Sequence, residues 1–333
     1  MKPKTTSDIS QILRGYLPTA AVGAAFELGL FWKLEKASQS AAEIAEYFGI
    51  PPKRCQHWLE YLLELGLLGK DAQGYYPSKT AREAILEARS QETWAFLAGE
   101  ARERLPAVQD LAIHIRAPGS VWDALGLIPP DYVAKLENDP DNARRFTRML
   151  YELHQGEAEL LSELLDMEGV DRLMDIGGGS GVMSLALLRR HPELNAVVLD
   201  QANVCSVGRE IAKENGLEKR IAFHEVNFLQ EDIPTGFDLV MECDVGIYNE
   251  ILFRKIHQAL NPGGRFVILD YQFETEAASR LNLMGRAFFN SLENPEFRFE
   301  SADELMDLLV ESGFQSVAEP RPLMTGLVIE ASK

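Results

Sequence analysis

Between Leu173 and Asp200 the chain places acids and glycines at a spacing that could hold a nucleoside. Leu173-Met174-Asp175-Ile176 is a short apolar run carrying an acid, and Gly177, Gly179 and Gly181 follow at alternate positions. A helical pattern runs from Val182 to Arg190, and a second apolar run, Ala196 to Leu199, closes on Asp200. Glycine lets a backbone turn tightly and approach a ligand, and a carboxylate at the second strand end can accept from two ribose hydroxyls. The pattern predicts strand, glycine turn, helix, strand, acid.

The spacing separates two kinds of ligand. A dinucleotide fingerprint, G-x-G-x-x-G, needs its third glycine at 182, where this chain has Val182. G-x-G-x-G with Asp175 two residues before it fits S-adenosylmethionine better than NAD, because no pyrophosphate has to be seated at the helix start.

Proton chemistry has its own candidates. Asp244 falls at the C-terminal end of the expected strand 237–244, where doubly wound sheets place ligands, and Glu242 and Tyr248 lie beside it. His154 lies on the helix expected before the first of these strands. The candidate bases rank His154, Asp244, Tyr248, since an unperturbed histidine already titrates near neutral pH. His224 and His257 read as structural.

The elements that must position these groups form an α/β chain with a helical N-terminal part. Residues 10–36 read as one mostly apolar helix. Ser40 and Glu43 have the spacing of a capping box, Pro52 suits a first helical turn, and 67–77 reads as a β-hairpin around Asp71-Ala72-Gln73-Gly74. Helix, helix, hairpin is a winged-helix order. Its second helix mixes Lys53, Arg54 and His57 with Trp58, Leu59, Leu62 and the acids Glu60 and Glu64, which suits packing rather than a DNA groove. Helices are expected through 80–165, broken at Pro118-Gly119 and Pro129-Pro130, with one long helix from Asp141 to Leu165. Strands at 221–228, 237–244 and 265–273 then alternate with helices at 204–215 and 249–260, and Asn261-Pro262-Gly263-Gly264 reads as a turn. A helix at 301–312 and strands near 315–319 and 323–331 complete a Rossmann-like doubly wound sheet. The expected division is a winged-helix dimerisation domain over 1–100, a helical linker and acceptor segment over 101–165, and a cofactor-binding domain over 166–333.

Composition narrows the partners. The formal net charge of −18 over 333 residues opposes an electrostatic grip on nucleic acid or an anionic membrane. Cys55, Cys205 and Cys243 are scattered with no C-x-x-C, which predicts neither disulfide framework nor metal site and suits a reducing cytoplasm. The apolar stretch Leu17 to Trp32 is interrupted by Glu27 and too short to span a bilayer. So apolar a helix suggests burial against a second copy, and a homodimer is expected.

The chain resembles the two-domain small-molecule O-methyltransferases that use S-adenosylmethionine, the group that includes caffeate, hydroxyindole and antibiotic-tailoring enzymes. The resemblance rests on the winged-helix order, the Asp141 to His154 segment, Asp175 to Gly181, Asp200, Phe237-Asp238-Leu239 and Leu260 to Arg265. It implies that Gly177 and Gly179 lie under the methionine part of the cofactor and that Asp200 takes the ribose. Asn227 and Phe228 stand where the family often has Asp-Phe at the adenine. Glu242 would reach the cofactor's amino group, and Arg286, Asn290 and Glu293 would close the acceptor pocket. The family's base is a histidine soon after the fourth strand, and this chain has Gly246 there and Tyr248 at the family's tryptophan. Either another side chain is the base, or the acceptor arrives ionised, or methyl goes to carbon or nitrogen. The expectation is a methyltransferase acting on a small aromatic or polyketide-like molecule. The alternatives are the same fold and cofactor turned to hydroxylation, decarboxylation or pericyclic chemistry, and a cofactor-sensing regulator.

Overall fold

The computed structural model describes residues 2–127, 132–273 and 279–333, so Pro129-Pro130 lies outside the described residues. The chain divides into two compact units, Met1–Pro106 and Ala107–Lys333.

In the first unit the helix expected over 10–36 is three helices, Thr6–Leu13, Tyr16–Leu28 and Leu30–Lys33. Gly29 makes the second break: it takes a left-handed φ of 73° and caps the helix before it. The capping box forms as expected, Ser40 accepting from Glu43 N–H at the start of Ala41–Phe48 and Glu43 accepting in return. Pro52 opens the helix Pro52–Glu64, which buries Cys55, Leu59 and Leu62 and leaves Lys53, Arg54 and His57 exposed. Strands β1 (Leu68–Lys70) and β2 (Tyr75–Pro77) pair antiparallel. Tyr75 OH and Lys70 Nζ donate to Glu60 Oε1 at 2.6 and 2.7 Å, tying hairpin to helix. Phe26, Leu30, Phe31, Leu34 and Ile44 share the core with that helix.

The second unit is built on β3 (Arg172–Ile176), β4 (Asn195–Asp200), β5 (Ile221–Glu225), β6 (Phe237–Cys243), β7 (Leu260–Asp270), β8 (Ser316–Val317), β9 (Arg321–Leu323) and β10 (Gly326–Ser332). The sheet order is β5-β4-β3-β6-β7-β10-β8, with β9 on β10. The first five of these strands run parallel, and β10 pairs antiparallel to β7. Strand order reverses at β3, and the crevice beyond the carboxyl ends of β3, β4 and β6 is where such sheets hold ligands.

Two apolar layers cover the sheet, one around Leu173, Met241 and Leu269, the other around Met174, Val240 and Ile268. The alternation follows from the two-residue period of a strand. The helix Val182–Arg190 is buried at every position from Val182 to Leu188, all apolar but Ser184, so it sits deep in the first layer.

Two expected boundaries differ. The helix from Asp141 to Leu165 is two helices, Pro140–Leu153 and Gln155–Leu164, with His154 between them at φ −100° and ψ 7°. His154 N–H still bonds Leu150 O, and its carbonyl accepts from Ala158, so the chain bends without stranding a backbone group. Asn261 to Gly264 does not precede β7 but lies within it as a bulge: Phe237 pairs Leu260, and the next pair is Leu239 with Arg265.

Candidate active site

The glycine turn forms because Gly177, Gly179 and Gly181 all take left-handed φ, 63°, 57° and 74°. Space above them is uneven. A Cβ on Gly179 would meet nothing nearer than Gly177 O at 4.0 Å, which leaves room for a ligand, whereas one on Gly177 would lie 2.6 Å from Val245 Cγ2. Asp200 ends β4 beside this opening. Its Oδ2 accepts from Gly179 N–H at 2.9 Å and its Oδ1 from Gln201 N–H at 2.7 Å. Burial pushes its carboxyl up to about 6, against those two amides.

Asp175 is fully buried one strand away. Ser184 Oγ donates to its Oδ2 at 2.7 Å, and its Oδ1 has no hydrogen-bond partner among the described residues. Burial raises it to about 7, and Asp200 adds to the rise. An unpartnered buried carboxylate oxygen beside an open glycine turn fits a ligand that brings an ammonium donor.

A second cluster lies at the ends of β6 and β7. Glu242 is 1% exposed; its Oε1 accepts from Ile247 N–H at 3.3 Å, and Oε2 has no partner among the described residues. Burial, helped by Asp270, raises it to about 8. Asp270 is equally buried and accepts from Tyr248 OH at 2.6 Å on Oδ2 and from Gln272 N–H at 2.7 Å on Oδ1. The turn between them carries Asp244, at a left-handed φ of 57°, and Gly246, at 68°. A Cβ on Gly246 would overlap Gln272 Nε2. Asp244 is exposed; partial desolvation by the surrounding chain lifts its carboxyl to about 7, the charges of Asp270 and Glu157 add to the rise, and Arg286 opposes it. Burial and its bond to Asp270 push the Tyr248 phenol well above its ordinary value.

The remaining predicted residues divide. Arg286 comes to this cluster: its guanidinium donates to Tyr271 O and lies 5.3 Å over the Phe299 ring. Asn290 is half-buried on the same helix, Arg280–Glu293, and Glu293 is exposed near its end. His154 is half-buried, and burial lowers its pKa; no hydrogen bond joins it to Asp244 or Tyr248. Phe228 is half-buried after β5, while Asn227 is exposed and its Oδ1 accepts from Leu229 N–H at 3.2 Å, shaping the loop.

Asp270 and Glu157 were not singled out from sequence, although signals existed. Asp270 closes the apolar run Phe266 to Leu269 as Asp200 closes its own, and Glu157 lies one helical turn beyond His154. No group of three or more His, Cys, Asp or Glu with metal-holding geometry occurs among the described residues, and none of their helices is long and apolar enough to cross a membrane.

A doubly wound sheet whose first turn is an open glycine cradle, with an acid at the next strand end, is the architecture of an S-adenosylmethionine-dependent methyltransferase. The model of the O-methyltransferase domain family matches residues 123–315, more than half of the chain and all of both clusters, and the chain belongs to that family. It is 26% identical to the N,N-dimethyltransferase OxyT of Streptomyces rimosus over 92% of this chain and 89% of that protein. It is 25% identical to the tetracenomycin polyketide synthesis 8-O-methyl transferase TcmO of Streptomyces glaucescens, over 93% of this chain and 91% of that protein. Human N-acetylserotonin methyltransferase, solved in complex with S-adenosylmethionine, superposes with a TM-score of 0.79 at 17% identity, covering 100% of this chain and 99% of that one. The protein is an S-adenosylmethionine-dependent methyltransferase of a small molecule.

Proposed function

We propose that the protein methylates a small aromatic or polyketide-like acceptor at oxygen or nitrogen, with Asp244 taking the acceptor's proton. The observation that carries this is an exposed carboxyl on the left-handed turn after β6, where the family resemblance puts a histidine, raised to about 7 by partial desolvation and by the charges of Asp270 and Glu157. A phenol with pKa near 10 is a poor nucleophile at neutral pH, and a protonated amine has no free lone pair. One carboxylate poised near the working pH serves both, and such a base typically contributes about 10²–10⁴-fold. This places Asp244 ahead of His154, whose imidazole burial makes less basic.

Gly177, Gly179 and Asp200 would hold the cofactor, with Asp175 toward its ammonium and Phe228 flanking its adenine. The cofactor supplies an already activated methyl group, so the protein's task is to orient the acceptor and move one proton. Asp244 Oδ would take the proton of the acceptor's oxygen or nitrogen as the methyl group leaves the cofactor's sulfur, with S-adenosylhomocysteine the leaving group, and would then pass that proton to water. Arg286 and Asn290 would line the acceptor's side, and Glu293 would close its end.

The first unit would join two copies in a cytoplasmic homodimer. Ile9, Ile12, Leu13, Tyr16 and Leu17 are exposed on its first two helices, from 45% to 75%, and all three cysteines are free thiols. Two aspartates, at Ile12→Asp and Leu13→Asp, should convert the dimer to monomers in light scattering; a wild type that runs as a monomer at micromolar concentration contradicts the dimer. The acceptor class is tested by S-adenosylhomocysteine release against a panel of hydroxylated and aminated polycyclic aromatics. Turnover confined to simple aliphatic acceptors would contradict it.

A further inference from the structure

We propose that Asp270 is a positioning residue for methyl transfer, holding the Asp244–Tyr248 turn against the glycine cradle through the hydroxyl of Tyr248. The proposal rests on the reading of Asp244 as the base.

The turn is awkward for its sequence. Asp244 is one of three described non-glycine residues with positive φ, and Gly246 two positions on is left-handed as well. Backbone of this kind persists where its surroundings hold it. On one side Val245 closes on the cradle, 2.6 Å from where a Gly177 Cβ would stand. On the other side the sheet supplies the hold. Asp244 N–H donates to Leu269 O at 2.8 Å, and Ile247 N–H to Glu242 Oε1 at 3.3 Å. The shortest of these bonds is Tyr248 OH to Asp270 Oδ2, at 2.6 Å. The Tyr248 ring stacks on Phe273, centroids 6.3 Å apart, so the hydroxyl is aimed at the carboxylate by packing. Asp270 itself is fixed, because Gln272 N–H occupies its other oxygen and Asp270 closes β7.

Asp270 also acts on the base by charge. The groups that face Asp244 are Asp270 at the end of β7, Glu157 on the helix Gln155–Leu164, Arg286 on the helix Arg280–Glu293, and Tyr271 and Cys243 beside it. Asp270 comes before Glu157 among the charges that lift Asp244. One carboxylate therefore places the base and helps tune it. Tyr248, its hydroxyl given to Asp270, is the arm of this device and not a proton donor to the acceptor.

The test uses the full chain without acceptor. Hydrogen exchange is read at amides 244–249 and at the helix Val182–Arg190. Aspartate labelled with ¹³C at its carboxyl is titrated by NMR, the Asp244 signal being the one missing from Asp244→Asn. Loss of a bond to a charged group should speed exchange of the turn by about tenfold or more in Asp270→Asn and in Tyr248→Phe, with the helix unchanged. The Asp244 midpoint should fall in both, as charge is removed or the turn opens to water. Tyr248→Phe removes one hydroxyl and carries the test alone if Asp270→Asn does not fold. Exchange that rises equally in turn and helix, with the Asp244 midpoint unmoved, marks a merely structural role and overturns the proposal. A near-neutral Asp244 with turn exchange unchanged in both variants overturns the positioning and leaves the base. A wild-type Asp244 that titrates in the ordinary carboxylate range overturns the base reading and the proposal with it.

Discussion

The two ends of the candidate site are made in different ways. The proposed cofactor end is a local device: Asp175, the glycine turn and Asp200 lie within 175–200, and their geometry comes from backbone N–H groups and glycine φ. The proposed acceptor end is assembled from a distance. Asp244 and Tyr248 come from one turn, Asp270 from another strand, Glu157 and Arg286 from helices on either side in sequence. The first must present a nearly constant shape to a constant ligand, so motif spacing specifies it. The second depends on which side chains converge, and a variable acceptor sets that.

The sharpest way to break this comparison is at the cofactor end. Asp200→Ala should weaken S-adenosylhomocysteine binding by at least tenfold in calorimetry, since bonds to a charged acceptor contribute about 1.5–3 kcal/mol each. Wild-type affinity should itself fall as pH drops through about 6, where Asp200 takes up a proton, and the variant should lose that dependence. Equal affinity in a folded variant would remove Asp200 from the site.

Restoring the family's histidine probes the acceptor end. In Gly246→His a side chain must adopt a left-handed φ and displace the Gln272 amide. The backbone alone should cost about 1–2 kcal/mol, read as a lower melting temperature, and activity should not rise. A stable, faster Gly246→His variant would show that the turn is a degraded histidine site and not a different device.

A smaller effect distinguishes the two ends by pH. Glu242 has its folded-state pKa raised to about 8, above the unfolded value near 4.3. The native state therefore holds a proton that the unfolded state releases, and this contribution is full below about 4 and lost as pH rises through about 8. Glu242→Gln keeps an acceptor for Ile247 N–H, so it should raise the melting temperature of the cofactor-free protein by a few degrees at pH 8.5, with little change at pH 5. An equal shift at both pH values would assign the effect to packing.

The same contrast explains what the sequence revealed. Glycine spacing with an acid at the next strand end displays the strand, turn, helix and strand over 172–200, because each signal is local. The bend at His154 and the break at Gly29 were hidden by apolar patterns that continue across them. The resemblance puts Asn227 at the adenine, and the structure adds a local bond that spacing does not reveal, its Oδ1 accepting from Leu229 N–H. Asp270 does not stand out in the sequence because its partner, Tyr248, lies twenty-two residues away. His154 ranks ahead of Asp244 on unperturbed pKa values, and the shifts that move His154 down and Asp244 up come from surroundings that spacing does not display.

The proposed base is the Asp244 carboxyl, in place of a histidine. Its most direct measurement is the pH dependence of kcat with an acceptor identified from the panel, for wild type, Asp244→Asn and His154→Ala. Wild-type activity should rise as pH increases through about 7, as Asp244 ionises. Asp244→Asn should lose that limb together with about 10²–10⁴ in kcat, and His154→Ala should keep it. An Asp244→Asn variant that retains both rate and limb, or a His154→Ala variant that loses them, would contradict the account.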